Sequence, residues 1–252
     1  MEHVITSKAN PRFKELLAWL RPSGATRTHT LLLGEKVIET WREAPHAGRL
    51  VPELLLMREG QDASDWALEL RVPIQWLGEK LLADLGDSAS PPNCALLLRL
   101  GPEPEGPLKN RVIVPWGVQD PGNLGAIFRS AAAFGFQEAL LGPGCADPFS
   151  PKALRGSMGA AFLLSVRRVQ TLEFGEGKWF ALDGGAGAIP LKDVDLAEPL
   201  RILVGNEGHG WKHEALPAAV RRVAIPTFGV ESLNAAVAAG IACYEVQRRM
   251  AG

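Results

Sequence analysis

The chain is poor in cysteine: Cys94, Cys145 and Cys243 are odd in number, far apart and form no C-x-x-C spacing. This argues against a disulfide framework and against a zinc cluster, and a reducing cytoplasm fits best. No set of metal ligands is apparent. Long hydrophobic runs are also missing. The longest, such as Leu96–Leu98 and Ala235–Ala239, fall far short of the roughly 18 apolar residues needed to span a bilayer. The opening "MEHVITSKANPRFKELLAWL" places polar and charged residues where an export signal needs an apolar stretch, so an unexported protein without a membrane segment is expected. Charge of one sign is absent too. A net charge of −1 argues against nucleic-acid binding through overall charge and leaves local patches open.

What is present is ordinary globular material, with 46% apolar and 22% charged residues, which excludes disorder and a collagen-like fibre. The stretch "LGPEPEGPLKN" (100–110) packs prolines and glycines between apolar runs and reads as a linker over 101–110. It separates a small α/β domain (1–100) from a second domain (111–252). In the first, Lys8, Arg12, Lys14, Arg21 and Arg27 face only Glu2 and Glu15 over the first thirty residues. That cluster is either an electrostatic footprint for nucleic acid or a solvated face. In the second, strand-like runs such as "RVIVPWGVQ", "EALLGPG", "KWFALDG", "RILVGNEGHG" and "RVAIPTFG" alternate with helical patterns. This predicts an α/β fold whose mostly parallel sheet carries helices on both faces. In such sheets ligands bind beyond the carboxyl ends of the strands.

Three segments put polar residues at those ends. In "DPGNLGAIFRSAAAFGF" (120–136), Asn123-x-Gly125-x-x-x-Arg129 sets an amide at a helix start and a guanidinium within the next two turns. Asn123 reads equally as a helix cap. "RILVGNEGHG" (201–210) is a strand entering a glycine-rich loop with Glu207. Glycines let a backbone approach a ligand, but this loop has neither the Gly-Lys-Ser/Thr of a Walker loop nor the G-x-G-x-x-G of a dinucleotide fold. In "FGVESLNAAVAAG" (228–240), Glu231, Ser232 and Asn234 precede an alanine-rich helix. One cap needs one side chain, so the surplus calls for a second role.

In this order the three segments resemble the three motifs of the SpoU/TrmH family of RNA ribose 2′-O-methyltransferases, of the SPOUT superfamily. "PKALRGSMGAAF" (151–162) resembles the family's stretch between its first two motifs, and "ITSKANPRFKELLAWL" and "THTLLLGEKVIETWREA" resemble its N-terminal RNA substrate-binding domain. The resemblance implies methyl transfer from S-adenosylmethionine to a ribose 2′-hydroxyl, with ribosomal RNA favoured over transfer RNA by the extra N-terminal domain. It implies a homodimer joined through the catalytic domain and a trefoil knot at the C-terminal end. It also assigns Arg129, Asn123, Glu207, Ser232 and Asn234 to the catalytic site, and Leu203, Gly205, Asn206, Gly208, Ile225 and Leu233 to the methyl donor. RNA contact falls to Lys8, Arg12, Arg27, Arg155 and Ser157. By resemblance Arg129 activates the 2′-hydroxyl. A guanidinium stays protonated in proteins, so the other reading is that it binds a phosphate, for which its planar fork is suited. A non-catalytic RNA-binding or assembly protein of the same fold is the alternative. A dinucleotide-dependent oxidoreductase is a third reading that lacks its glycine fingerprint.

Overall fold

The computed structural model describes residues 4–21, 24–44, 50–63, 65–86, 92–185, 187–206 and 216–250. Two sheets organise the chain. The first holds β1 (His29–Leu33), β2 (Leu50–Arg58), β3 (Ile74–Leu77) and β4 (Cys94–Leu100) in the order β1-β4-β2-β3. β4 runs antiparallel to both of its neighbours, and β3 pairs parallel with β2. Strand β4, "CALLLRL", is apolar on both sides because both faces are covered. Ala95 and Leu97 point toward Phe13 and Leu16 of α1 (Pro11–Leu20) and Leu81, Leu82 and Leu85 of α4 (Glu79–Gly86). Cys94, Leu96 and Leu98 point the other way, toward α2 (Glu35–Arg42) and α3 (Asp65–Glu69).

The second sheet has seven strands: β5 (Arg111–Pro115), β6 (Glu138–Leu141), β7 (Ser165–Arg168), β8 (Lys178–Leu182), β9 (Ile189–Pro190), β10 (Leu200–Val204) and β11 (Val220–Ala224). Their order is β7-β6-β5-β10-β8-β11-β9, and every pairing is parallel. Strand β10 lies at the centre and is buried along its whole length. Among the described residues, α5 (Pro121–Ala133), α6 (Pro151–Ser157) and α7 (Ala235–Met250) all pack on one face, with Ile113, Ala139, Phe180 and Ile202 beneath them. The opposite face, with Val112, Val114, Trp179 and Leu203, is covered by irregular chain carrying Leu108, Leu172 and Phe174. Over the described residues the helices lie on one face; the helical pattern read at 211–220 falls in part outside them.

The two lobes share a core. Leu32, Val37 and Trp41 from the first belong to the same buried cluster as Phe128, Phe149 and Phe162 from the second. Buried Thr30 Oγ1 donates to Phe149 O at 2.7 Å. The 101–110 segment is pinned along the edge of the larger sheet. Arg167 Nη1 donates to Gly106 O at 2.7 Å, and Arg168 donates from its backbone and guanidinium to Glu103 at 2.7 and 2.6 Å.

Candidate active site

Parallel strands deliver their loops to one edge of the sheet, and three turns pack there backbone against backbone. Past β5, Trp116 N donates to Val204 O of β10 at 2.9 Å, and Gly117 N to Pro143 O beyond β6 at 3.1 Å. Past β10, Asn206 Nδ2 donates to Gly117 O at 2.8 Å. A Cβ on Gly142 would lie 2.0 Å from the Trp116 ring, so glycine is required for this approach. The half-buried backbones of Gly117 and Gly205 remain at the rim.

Helix α5 rises directly from this edge. Its N-cap is Asp120, which accepts from Asn123 N at 2.9 Å, with Pro121 at the first helical position. This corrects the reading of Asn123 as the cap. The Asp-Pro pair is itself a start signal. Lys152, hydrogen-bonded at 2.8 Å, and then the Asn123 N–H hold the Asp120 carboxyl below its ordinary range. With the cap filled, the Asn123 side chain is available elsewhere, and its Oδ1 accepts from Asn234 Nδ2 at 3.1 Å. Asn234 in turn opens α7: its Oδ1 accepts from Ala236 N at 2.9 Å and Val237 N at 3.3 Å. One side chain thus caps the last helix and ties it to the start of α5. Ser232 and Glu231 beside it are exposed, while Leu233 and Ile225 are half-buried.

Arg129 lies two turns along α5, exposed and without a partner among the described residues. Leu203 is buried within β10, where both backbone edges face neighbouring strands. Glu207 and Gly208 fall outside the described residues. Gly125, between Asn123 and Arg129, has a steric role. A Cβ there would sit 2.5 Å from Ala153 O and 2.8 Å from Ser157 N, so α5 and α6 cross in backbone contact.

Two of the residues assigned to RNA are corrected. Ser157 is buried under that crossing, its Oγ donating to Leu154 O at 3.2 Å. Arg27 has a side chain only 5% exposed, ion-paired with Asp147 at the junction of the lobes. Its Nη1 also donates to His29 O at 3.3 Å. Both are structural because burial removes them from any RNA surface. Asp147, which also accepts from Gly24 N at 3.0 Å, carried no signal for this junction in the sequence because Arg27 and Gly24 are more than a hundred residues away. Lys8 remains exposed, bridged to Asp84 at 2.8 Å. Arg12 is exposed beside Gln75, and Arg155 is half-buried in the last turn of α6.

Chemically the described part of the edge offers amides, hydroxyls and accessible backbone, and Arg129 on α5 adds an exposed guanidinium. The Cys94 and Cys243 thiols are not reactive groups: burial pushes Cys94 up to about 12, helped by Glu35, and burial raises Cys243 as well. Among the described residues no group of three or more His, Cys, Asp or Glu side chains could hold a metal ion. No described helix is long and apolar enough to cross a membrane.

Known proteins share this fold. The model of the SpoU rRNA Methylase family matches residues 110–244. A 23S rRNA (guanosine(2553)-2′-O)-methyltransferase, RlmP of Bacillus subtilis, is 32% identical over 96% of this chain and 98% of its own. A solved RNA 2′-O ribose methyltransferase superposes with a TM-score of 0.77 at 29% identity, covering 99% of this chain and 100% of that one. The SpoU methyltransferase AviRb of Streptomyces viridochromogenes, solved with AdoMet, gives 0.77 at 25% identity over 96% and 99%. Seven further curated relatives match over 45–51% of their own length. With more than half its length within the family model and a full-length relative at 32% identity, the chain belongs to the SpoU rRNA methylase family.

Proposed function

We propose that this chain methylates a ribose 2′-hydroxyl of ribosomal RNA with S-adenosylmethionine as donor, and that the edge formed by the β5, β10 and β11 loops is its active site. Family membership and the full-length match to a 23S rRNA enzyme support the reaction and the RNA class. The Asn234–Asn123 hydrogen bond supports this location, since it joins the segments that begin α5 and α7.

The residues present fit the donor. The backbones at Gly117 and Gly205 are accessible, and the half-buried Ile225 and Leu233 offer apolar contact suited to an adenine. When bound, the donor supplies a methyl carbon activated by its sulfonium leaving group. Gly205, Gly208, Ile225 and Leu233 would hold it, with Asn206 fixing the loop through Gly117 and Leu203 forming the strand beneath. Asn123, Ser232 and Asn234, with Glu207, orient the acceptor by hydrogen bonding. Alignment of this kind supplies much of the rate. Arg129 binds a phosphate next to the acceptor ribose, because its guanidinium keeps its proton and has the geometry for that anion. The 2′-hydroxyl proton then leaves to water or to that phosphate.

The first domain, 1–100, docks the RNA through Lys8 and Arg12, joined by 101–110 to the catalytic domain, 111–252, where Arg155 adds a contact. A trefoil knot accounts for the path after β11. The chain must return past β8 and β10 for Asn234 to reach Asn123. Knots are rare, and family membership supports this one. A second copy covers the apolar face of α5 and α7, and the enzyme works in the cytoplasm.

Arg129→Ala should lower methyl transfer to an rRNA transcript by about 10² or more, while calorimetry finds donor affinity within a few-fold of wild type. Unchanged turnover would remove Arg129 from the mechanism. Loss of donor binding would move it into the cofactor pocket.

A further inference from the structure

A cavity of about 200 Å³ opens on the small lobe between α1 and strands β2 and β3, away from the catalytic edge. Its floor is the buried cluster of Phe13, Leu16 and Leu56, on the sheet face turned away from the larger lobe. Its polar lining is Arg12, Glu15 and Gln75, and Trp19 forms an aromatic wall. We infer that this cavity binds an unpaired guanine base of the RNA substrate, at a point separate from the methylated nucleotide. The inference rests on the RNA-methyltransferase reading.

The wall is prearranged. Trp19 stacks on His29, with ring centroids 5.3 Å apart and planes 17° from parallel. His29 is itself fixed by Thr28 Oγ1 at 2.9 Å and Glu53 Oε2 at 3.0 Å. The Gln75 amide donates to Trp76 O at 3.1 Å and accepts from Arg12 Nη1 at 3.5 Å, a long bond that a better acceptor can replace. Glu15 is exposed and has no partner among the described residues.

Unpaired bases are recognised by stacking on an aromatic ring and by hydrogen bonds to their Watson–Crick edges. A carboxylate is acceptor-only and a guanidinium donor-only, so this pair selects a base with neighbouring donors beside an acceptor. Guanine offers N1–H and N2–H₂ for Glu15 and O6 for Arg12. Adenine would turn its N1 lone pair toward the carboxylate, and uracil offers one N–H between two carbonyls. The exposed cations Lys8 and Lys14, in and beside α1, favour a base attached to a phosphate chain over a neutral ligand.

The test uses the full chain and two labelled single-stranded pentamers, UUGUU and UUAUU, followed by fluorescence anisotropy, with GMP as competitor and donor calorimetry on the same preparation. Wild type should bind the guanine pentamer about tenfold more tightly, and Glu15→Gln should bring the two within twofold while donor affinity stays unchanged. Trp19→Leu should weaken the guanine pentamer too. Equal binding of the pentamers by wild type, or a preference that survives in Glu15→Gln, overturns the inference. GMP binding as tightly as the pentamer would overturn the assignment to RNA in favour of a free nucleotide. Absence of donor binding would instead strike the methyltransferase reading, and a guanine preference measured alongside it would still uphold the pocket.

Discussion

Arg12 and Arg27 stand in one basic cluster of the sequence, yet the fold puts them to opposite uses. Arg12 is exposed at the mouth of a cavity. Arg27 is buried with Asp147, 120 residues away. Removing one partner of a buried pair leaves the other charge uncompensated, typically at a cost of 3–5 kcal/mol. Here Asp147 keeps Arg168 Nη2 at 3.6 Å and two backbone N–H groups, so Arg27→Ala should destabilise by about 3 kcal/mol in urea unfolding. A loss below about 1 kcal/mol would show the junction does not depend on it. Nothing local separates the two arginines, since burial is set by the packing of one lobe on the other. Asn234 was more legible. A cap before an alanine-rich run is a local pattern, and Asn234 fills it, whereas its bond to Asn123, 111 residues away in the chain, has no local signature.

Elements were legible where they are long and periodic. The five strand patterns read in the second domain correspond to β5, β6, β8, β10 and β11; the first four are largely buried, and β11 keeps Val220 and Val223 buried around Arg221 and Arg222. Strand β7 escaped because, as the edge strand, it carries Arg167 and Arg168. Strand β9 escaped because it has only two residues. The stretch 151–162 does not form one helix, because Met158 at φ 50° and Gly159 at φ 81° break it after Ser157. The glycine of the Asn-x-Gly spacing shows what a motif conceals: Gly125 matters for a crossing with α6, and its partner backbone lies about thirty residues on. Gly125→Ala forces a methyl group against backbone atoms that cannot rotate away, so it should destabilise by about 1–3 kcal/mol, although alanine is the better helix former. Thermal unfolding that is unchanged or raised would mean the helices separate freely.

At the scale of the whole molecule, the proline- and glycine-rich 101–110 segment reads as a linker between two domains. In the structure the two lobes share a core and the segment is fastened to the sheet edge, because composition reveals a tether's sequence but not what grips it. The same helix that closes the fold leaves a face unused. Along α7, Ala235, Ala239, Ala242 and Val246 are buried, whereas Val237, Ile241 and Tyr244 are exposed. These three recur at helical spacing, so they form a stripe. Tyr244 reaches across to Phe134 beside α5, ring centroids 5.7 Å apart, and an open apolar groove runs between the two helices. An apolar face of this kind, contiguous and next to the candidate active site, is what a two-fold partner covers, because a symmetric interface uses the same patch twice. Wild type should therefore run as a dimer in light scattering at micromolar concentration. Ile241→Glu should shift it to monomer without unfolding it, since that side chain already faces solvent. A wild-type monomer, or a glutamate variant that still dimerises, would place the interface elsewhere.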